Sequence, residues 1–325
     1  MKSQQNFTNK NATKSGFSII IPTFNRAGLL RSALESVQQL KVPQGWAAEI
    51  LVIDNNSSDH TPKVANDSAR SGPLPVRHIV ETRQGLNHGR NRGIQEGSFG
   101  HLVYLDDDML VDPGWLEGYV EAHEQFNPDA VIGPVDPMFE EPPPDWMTKR
   151  MIESVTSSYS QKGDQLILVP KEHAHELPGC NFAVMKSAAL EAGGFHPSLD
   201  RCGAEMLAGG DWELGERLVS LRKKIAYSPK CRIRHLISKN KISLDGLRSR
   251  WEGMGATSGA LAKIRGDVLR LPKRIHLTMR MMRFFARCCR YRVSGNVPES
   301  FRWELEALHL KGFLFKTPQH LEVRR

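Results

Sequence analysis

The stretch His101-Leu102-Val103-Tyr104-Leu105 runs directly into Asp106-Asp107-Asp108. The first five residues form a short, mostly apolar run of strand length, which reads as a buried strand. The three that follow are carboxylates with no spacer between them. Adjacent carboxylates repel, so ionising all three is costly without a compensating charge. A solvated acidic turn is the ordinary explanation for such a run. Its position at a strand end, beside an expected cleft, favours a ligand site. A hard divalent cation suits it, because Mg²⁺ or Mn²⁺ bound by few carboxylates usually takes substrate phosphates as further ligands.

Outward from this strand, short apolar runs alternate with helical patterns. Phe17 to Ile21, Glu49 to Ile53, Val76 to Val80 and Ala130 to Gly133 read as further strands. Leu29, Leu30, Ala33, Leu34, Val37 and Leu40 recur at helical spacing, and Asp59 or Thr61 with Pro62 marks a helix start. Alternation of this kind predicts an α/β fold with a mostly parallel sheet and helices on both faces. Ligands of such sheets bind at the carboxyl ends of the strands. Those ends carry Thr23, Asp54, Glu81 and Asp106. The first strand exits through Pro22-Thr23-Phe24-Asn25-Arg26 without a glycine-rich turn, which removes the main support for a dinucleotide-binding dehydrogenase or a nucleotidyltransferase.

Residues 134–178 carry Pro134, Pro137 and Pro142 to Pro144, and are expected to be an irregular excursion that shapes an acceptor site. Asn181 to Met185 reads as a strand, Lys186 to Ala192 as a helix stopped by Gly193-Gly194, and Asp211 to Leu221 as a helix.

Five segments, in order, resemble the family 2 glycosyltransferases of GT-A fold: SIIIPTFN (18–25), ILVIDNNSSDHT (50–61), NHGRNRGI (87–94), VYLDDD (103–108) and GGDWEL (209–214). The resemblance covers roughly residues 17–237. It implies a GT-A catalytic domain over 16–237, after a tail at 1–15 and before a helical extension at 238–325. It also implies an inverting, metal-dependent sugar transfer from a nucleotide sugar, with uridine as the base, in polysaccharide or glycolipid biosynthesis. By position, Thr23 and Asp54 would contact the nucleobase, Arg90 the nucleotide, and Asp106 the ribose or the metal. Asp108 matches the last Asp of the D-x-D motif and would ligate Mn²⁺ or Mg²⁺, with His235 as a further ligand. Asp107 takes no role from this match.

Asp211 stands where the family's catalytic base stands. Gly210 replaces the acid that normally precedes it, and Glu213 replaces a later Asp. Each reading has a plainer rival: Asp211 as a helix cap, His235 as a structural histidine, Asp54 as a turn residue. The missing acid at position 210 also admits a non-catalytic nucleotide-sugar-binding protein of the same fold. His173 and His175 read better as polar loop residues than as metal ligands. Trp146 and Trp212 are as suited to core packing as to sugar stacking. Arg250-Trp251 resembles the Q-x-x-R-W motif of processive members, but Leu247 replaces its Gln.

The charge is segregated. Arg270, Lys273, Arg274, Arg280, Arg283, Arg287, Arg290 and Arg292 equal the whole excess of 44 basic over 36 acidic residues. Over 272–293, Ile275, Met279, Met282, Ala286, Cys289 and Val293 share one helical face beside an arginine strip, a basic amphipathic helix. It suits either packing on the core or an anionic membrane surface. No interleaved aromatics accompany it, which argues against nucleic acid. Five cysteines without a C-x-x-C pair, and no apolar run of about 18 residues, predict a cytoplasmic protein, free or peripheral on the cytoplasmic membrane face.

Overall fold

In the computed structural model, which describes residues 15–156, 162–202, 205–267 and 269–318, β1 (Gly16–Thr23) is buried along its whole length. That burial matches its continuous apolar run and puts it inside the sheet. After it come α1 (Ala27–Gln38), β2 (Ala47–Asp54), α2 (Thr61–Ser71), β3 (Val76–Val80), α3 (Leu86–Glu96) and β4 (His101–Leu105). The chain continues through β5 (Met109–Val111), α4 (Trp115–Phe126), β6 (Ala130–Ile132), β7 (Val135–Phe139), α5 (Lys149–Thr156), β8 (Ile167–Leu168) and β9 (Asn181–Met185). Then follow α6 (Lys186–Glu191), β10 (Arg201–Cys202), β11 (Glu205–Met206), α7 (Gly210–Ser220), β12 (Ile225–Tyr227) and β13 (Ile233–Ile237). The last helices are α8 (Leu244–Ile264), α9 (Leu271–Val293) and α10 (Val297–Phe315).

The large sheet has the order β3-β2-β1-β4-β9-β6-β12-β8. β1 through β4 pair in parallel, whereas β9 runs antiparallel to both β4 and β6, and β8 antiparallel to β12. Side chains alternate between two cores. Ile19, Ile21, Val52, Val103 and Leu105 point to the face covered by α1, α2 and α4. Ile20, Leu51, Ile53, Tyr104 and Phe182 point to the face where Phe195, Leu214 and Leu218 pack. The period of two in a strand imposes this division. The expected architecture is present: an α/β GT-A fold with a mostly parallel central sheet, helices on both faces and a helical C-terminal region.

A second sheet, β5-β13-β7, was not foreseen. It corrects the reading of 134–178 as irregular. β7, α5 and β8 lie there, and Pro137 is tolerated because β7 is an edge strand. The tail expected at 1–15 lies outside the described residues, apart from exposed Ser15. Gly193 and Gly194 stop α6 as expected, both at positive φ.

One polar side chain ties the two sheets together. Asn181, fully buried at the start of β9, accepts from Trp115 Nε1 and the Tyr119 hydroxyl, each at 3.1 Å. Its amide donates to the carbonyls of Pro134 at 3.1 Å and Cys231 at 2.8 Å. Asn181→Leu would strand two donors and the Cys231 carbonyl in the core, while the Pro134 carbonyl keeps the Ile233 N–H. It is expected to cost roughly 2–4 kcal/mol, read as a lowered denaturant midpoint with an unchanged slope.

Candidate active site

The aspartate run is the turn between the two sheets, closed by Met109 N–H donating to the Asp106 carbonyl at 3.2 Å. β13 lies antiparallel to β5 with His235 opposite Met109, and Leu236 N–H donates to the Asp108 carbonyl at 2.9 Å. That register carries His235 to Asp108 across more than a hundred residues of chain. A cleft of about 410 Å³ opens here, and Arg90, Asp106, Asp108, Asp211 and His235 all line it. Five of the seven expected site residues are therefore brought together.

Thr23 and Asp54 sit opposite each other on β1 and β2 and do not line the cleft. Thr23 Oγ1 donates to Asp107 Oδ2 at 2.8 Å. Asp54 accepts from Ser57 N–H at 2.8 Å and contacts His78 Nε2 at 3.0 Å. Glu81, the third acid at a strand end, is also outside the cleft. The hydrogen bonds of Arg83 hold its carboxyl down, at about 2.

Every member of the run meets a cation, with Arg26 shared between Asp107 and Asp108. Asp106, the most exposed, receives Arg90 Nη2 at 3.3 Å. Arg90 is buried, donates to the Gly179 carbonyl at 2.8 Å and lies over the Phe195 ring. Asp107, which motif matching left without a role, is the anchor of the turn. It is buried and held by Thr23 and by Arg26 Nη1 at 2.5 Å. Burial pushes its carboxyl up to about 7, against the pull of Arg26. Asp108 is equally buried and burial pushes it up too, but His235, Lys241 and Arg26 outweigh that and hold it well below the usual carboxylate range. Arg26 and Lys241 escaped the sequence reading, since nothing in their local patterns marks them. The only available signal for Arg26 was its place at the exit of β1.

Lys241 decides whether a metal ion fits. Its Nζ donates to Asp108 Oδ2 at 2.8 Å and to His235 Nε2 at 3.0 Å, while those acceptors lie 3.7 Å apart. His235 Nδ1 is 3.3 Å from the Thr156 carbonyl, which only an N–H can satisfy, so Nε2 is left as the acceptor. A buried carboxylate and a buried imidazole nitrogen thus converge on one cationic position. Mn²⁺ or Mg²⁺ fits that donor pair, with the remaining ligands coming from phosphate and water. Among the described residues no group of three His, Cys, Asp or Glu is gathered for a metal.

Asp211 lies in the first turn of α7. Its Oδ2 accepts the Gly179 N–H at 2.8 Å, and its Oδ1 accepts the Trp212 N–H at 3.0 Å. A Cβ on Gly179 would lie 2.4 Å from Asp211 Oδ2 and 2.8 Å from Arg90 Nη2, so only glycine lets the acid and the arginine close on this backbone. Gly210 has a comparable reason. A Cβ there would meet the Asn87 amide at 2.4 Å, and that amide is held by the carbonyls of His196 and Leu199. The acid missing before Asp211 is excluded by packing. Glu213 turns away and pairs with Arg217.

The histidine pair at 173 and 175 does not form a metal cluster: His173 meets Glu176 and His175 stacks edge-on against Trp212. Trp146 packs on Phe301 in the core of the C-terminal region.

The model of the family described as "Glycosyl transferase family 2" matches residues 18–192, more than half of the chain. The chain belongs to glycosyl transferase family 2. This glycosyltransferase is 22% identical over 241 residues to the glucosyl-dolichyl phosphate glucuronosyltransferase of Haloferax volcanii, covering 73% of the chain and 74% of that relative. In fold it is similar to the Pyrobaculum calidifontis mannosyltransferase PcManGT in complex with GDP-Man and Mn²⁺, at a TM-score of 0.59 and 17% identity, over 93% of this chain and 88% of that one. It is similar also to S. aureus TarS 1–349 in complex with UDP, at a TM-score of 0.54 and 13% identity, over 92% and 89% of the two chains.

Replacing Lys241 by Met frees Asp108 Oδ2 and His235 Nε2. Removing a positive charge from about 3 Å should tighten Mn²⁺ binding to the nucleotide-free protein roughly tenfold or more, read by electron paramagnetic resonance. His235→Ala in the same assay is expected to weaken it.

Proposed function

We propose that this glycosyltransferase moves a sugar from a nucleotide diphosphate donor to a hydroxyl of a glycan or lipid-linked acceptor, with inversion, in polysaccharide or glycolipid assembly. The observation that carries the reading is the convergence of a carboxylate at the start of α7 with the cation-lined aspartate turn in one cleft. The UDP bound to TarS favours a UDP-sugar, and the lipid-phosphate substrate in the name of the Haloferax relative favours a lipid-linked acceptor.

Asp211 is the general base. Gly179 N–H and Trp212 N–H each hold one of its oxygens, and the carboxylate lines the cleft, where a remaining lone pair takes the acceptor's proton. The freed hydroxyl oxygen attacks the anomeric carbon as the bond to the diphosphate breaks, so a single displacement inverts that centre. Negative charge grows on the departing diphosphate. Arg90, Arg26 and Lys241, all lining the cleft, are preorganised to meet it without solvent reorganisation. Asp106 binds the ribose. Thr23 and Asp54, outside the cleft on the adjoining strand ends, are assigned to the base edge. Asp108 and His235 would hold Mn²⁺ or Mg²⁺, which when bound adds positive charge at the diphosphate.

A non-catalytic nucleotide-sugar binder is the second reading. Its best support was the glycine at 210, but the Asn87 contact accounts for that residue by packing.

A panel of nucleotide sugars, UDP- and GDP-linked, is screened with Mn²⁺ or Mg²⁺ for nucleotide release. Asp211→Asn is expected to lower turnover about 10²–10⁴-fold while donor affinity, measured by calorimetry, stays within about twofold. Asp108→Ala should weaken both donor binding and turnover. Unchanged turnover in either variant removes that residue's role. Donor binding by the unaltered protein without release, whatever the acceptor, establishes the second reading.

A further inference from the structure

α9 carries two apolar stripes of the same helical period. Leu277, Met281, Phe284, Cys288 and Tyr291 are buried or half-buried, and this side meets α10. Phe284 packs on Trp303, and the Cys288 carbonyl accepts from Ser300 Oγ at 3.0 Å. The other stripe is the one that periodicity singled out, and it lies half a turn away, since Ile275 and Phe284 are nine residues apart at 100° per residue. It is not packed. Leu271 is 69% exposed, Ile275 50%, Met279 46%, Met282 61% and Val293 89%. A helix needs one apolar stripe to dock on its own protein. The second is surplus to the fold.

The charges sort in the same way. Arg287 lies over the Trp303 ring and Arg292 pairs with Glu304, so these two serve the contact with α10. Arg274, Arg283 and Arg290 flank the exposed stripe and form no ion pair among the described residues. No acidic residue occurs between Asp267 and Glu299.

We infer that the exposed face of α9 lies on an anionic lipid surface, its Met and Ile side chains among the acyl chains and its arginines at the headgroups. The apolar stripe supplies a dry face, and the flanking cations choose the partner. A second copy of this chain is a poor occupant, because the same unpaired arginines would face each other. The helix also has a useful position. It rests on α10, α10 rests on α8, and α8 presents Gly246, Ser249 and Arg250 to the cleft. A surface-bound α9 therefore holds the cleft two helices from the lipid headgroups, within reach of an acceptor carried there. This last step rests on the proposed acceptor class; the surface binding does not.

The full chain is sedimented with vesicles of phosphatidylcholine alone and of phosphatidylcholine mixed equally with phosphatidylglycerol. Retention is expected on the mixed vesicles only, weakening as salt is raised. Replacing Arg274, Arg283 and Arg290 together by Gln should reduce it at least about tenfold. Met279→Asp with Met282→Asp should abolish it with the arginines still present. Both variants should keep wild-type helicity and nucleotide release with a soluble acceptor. Equal binding to both vesicles, no binding, or insensitivity to either variant overturns the inference. So does self-association that the Met279, Met282 variant removes, or tighter retention on an oligonucleotide than on the mixed vesicles. If vesicle binding holds but nucleotide release is absent, the surface stands and the proposed activity falls.

Discussion

Three consecutive carboxylates at a strand end are costly to ionise side by side unless cations reach them, and much of the site follows from that requirement. Arg90 answers Asp106, Arg26 bridges Asp107 and Asp108, and Lys241 answers Asp108. They arrive from α3, from the exit of β1 and from the turn after β13. The small sheet exists at this point because β13 must run beside β5 to deliver His235 and Lys241 to Asp108. The burial of Asp107 and Asp108 makes an unpaired member costly. Asp107 shows the consequence most clearly. It does not line the cleft, yet its bonds to Thr23 and Arg26 lock the turn on which the other two are mounted.

Asp211, the proposed base, is positioned by similar contacts. α3 contributes Arg90 toward the cleft and Asn87 toward the loop before α7, while Asp200 accepts the N–H of Asn87 at the start of α3. Gly179 and Gly210 are the places where this arrangement admits no side chain. A carboxylate, an arginine and a backbone carbonyl converge there. The departures from the family's motif at 210 and 213 are therefore matters of fit. One position is filled by an amide, and the other is spent on an ion pair within α7.

The C-terminal helices build a layer away from the catalytic core. α8 shares a core with α5 and α10 through Leu247, Trp251, Met151, Phe301 and Leu305, so the extension and the irregular-looking 134–178 segment complete one another. The prolines there argued against regular structure on local grounds. The edge strand β7 accommodates Pro137 once β13 supplies its partner, and Pro142 to Pro144 stay in the loop before α5. The described helices include none long and apolar enough to cross a membrane.

Much was legible in the residues alone. Strand and helix order, the acids at strand ends, the stop at Gly193-Gly194, the candidate acid Asp211 in GGDWEL and the amphipathic helix all follow from local periodicity or from short ordered motifs. Such signals are carried by neighbouring residues, so they survive without knowledge of the fold. What only the tertiary structure decided are the meetings of distant residues. Asp107 received its role from Thr23 and Arg26, and Asp108 met Lys241 133 positions away. Glu81, an equally good candidate by position, was withdrawn to Arg83. α9 offered two apolar stripes of identical period, and only contact with α10 determined which one is buried. Periodicity tells that a face is apolar, whereas burial depends on which partner the chain brings to it.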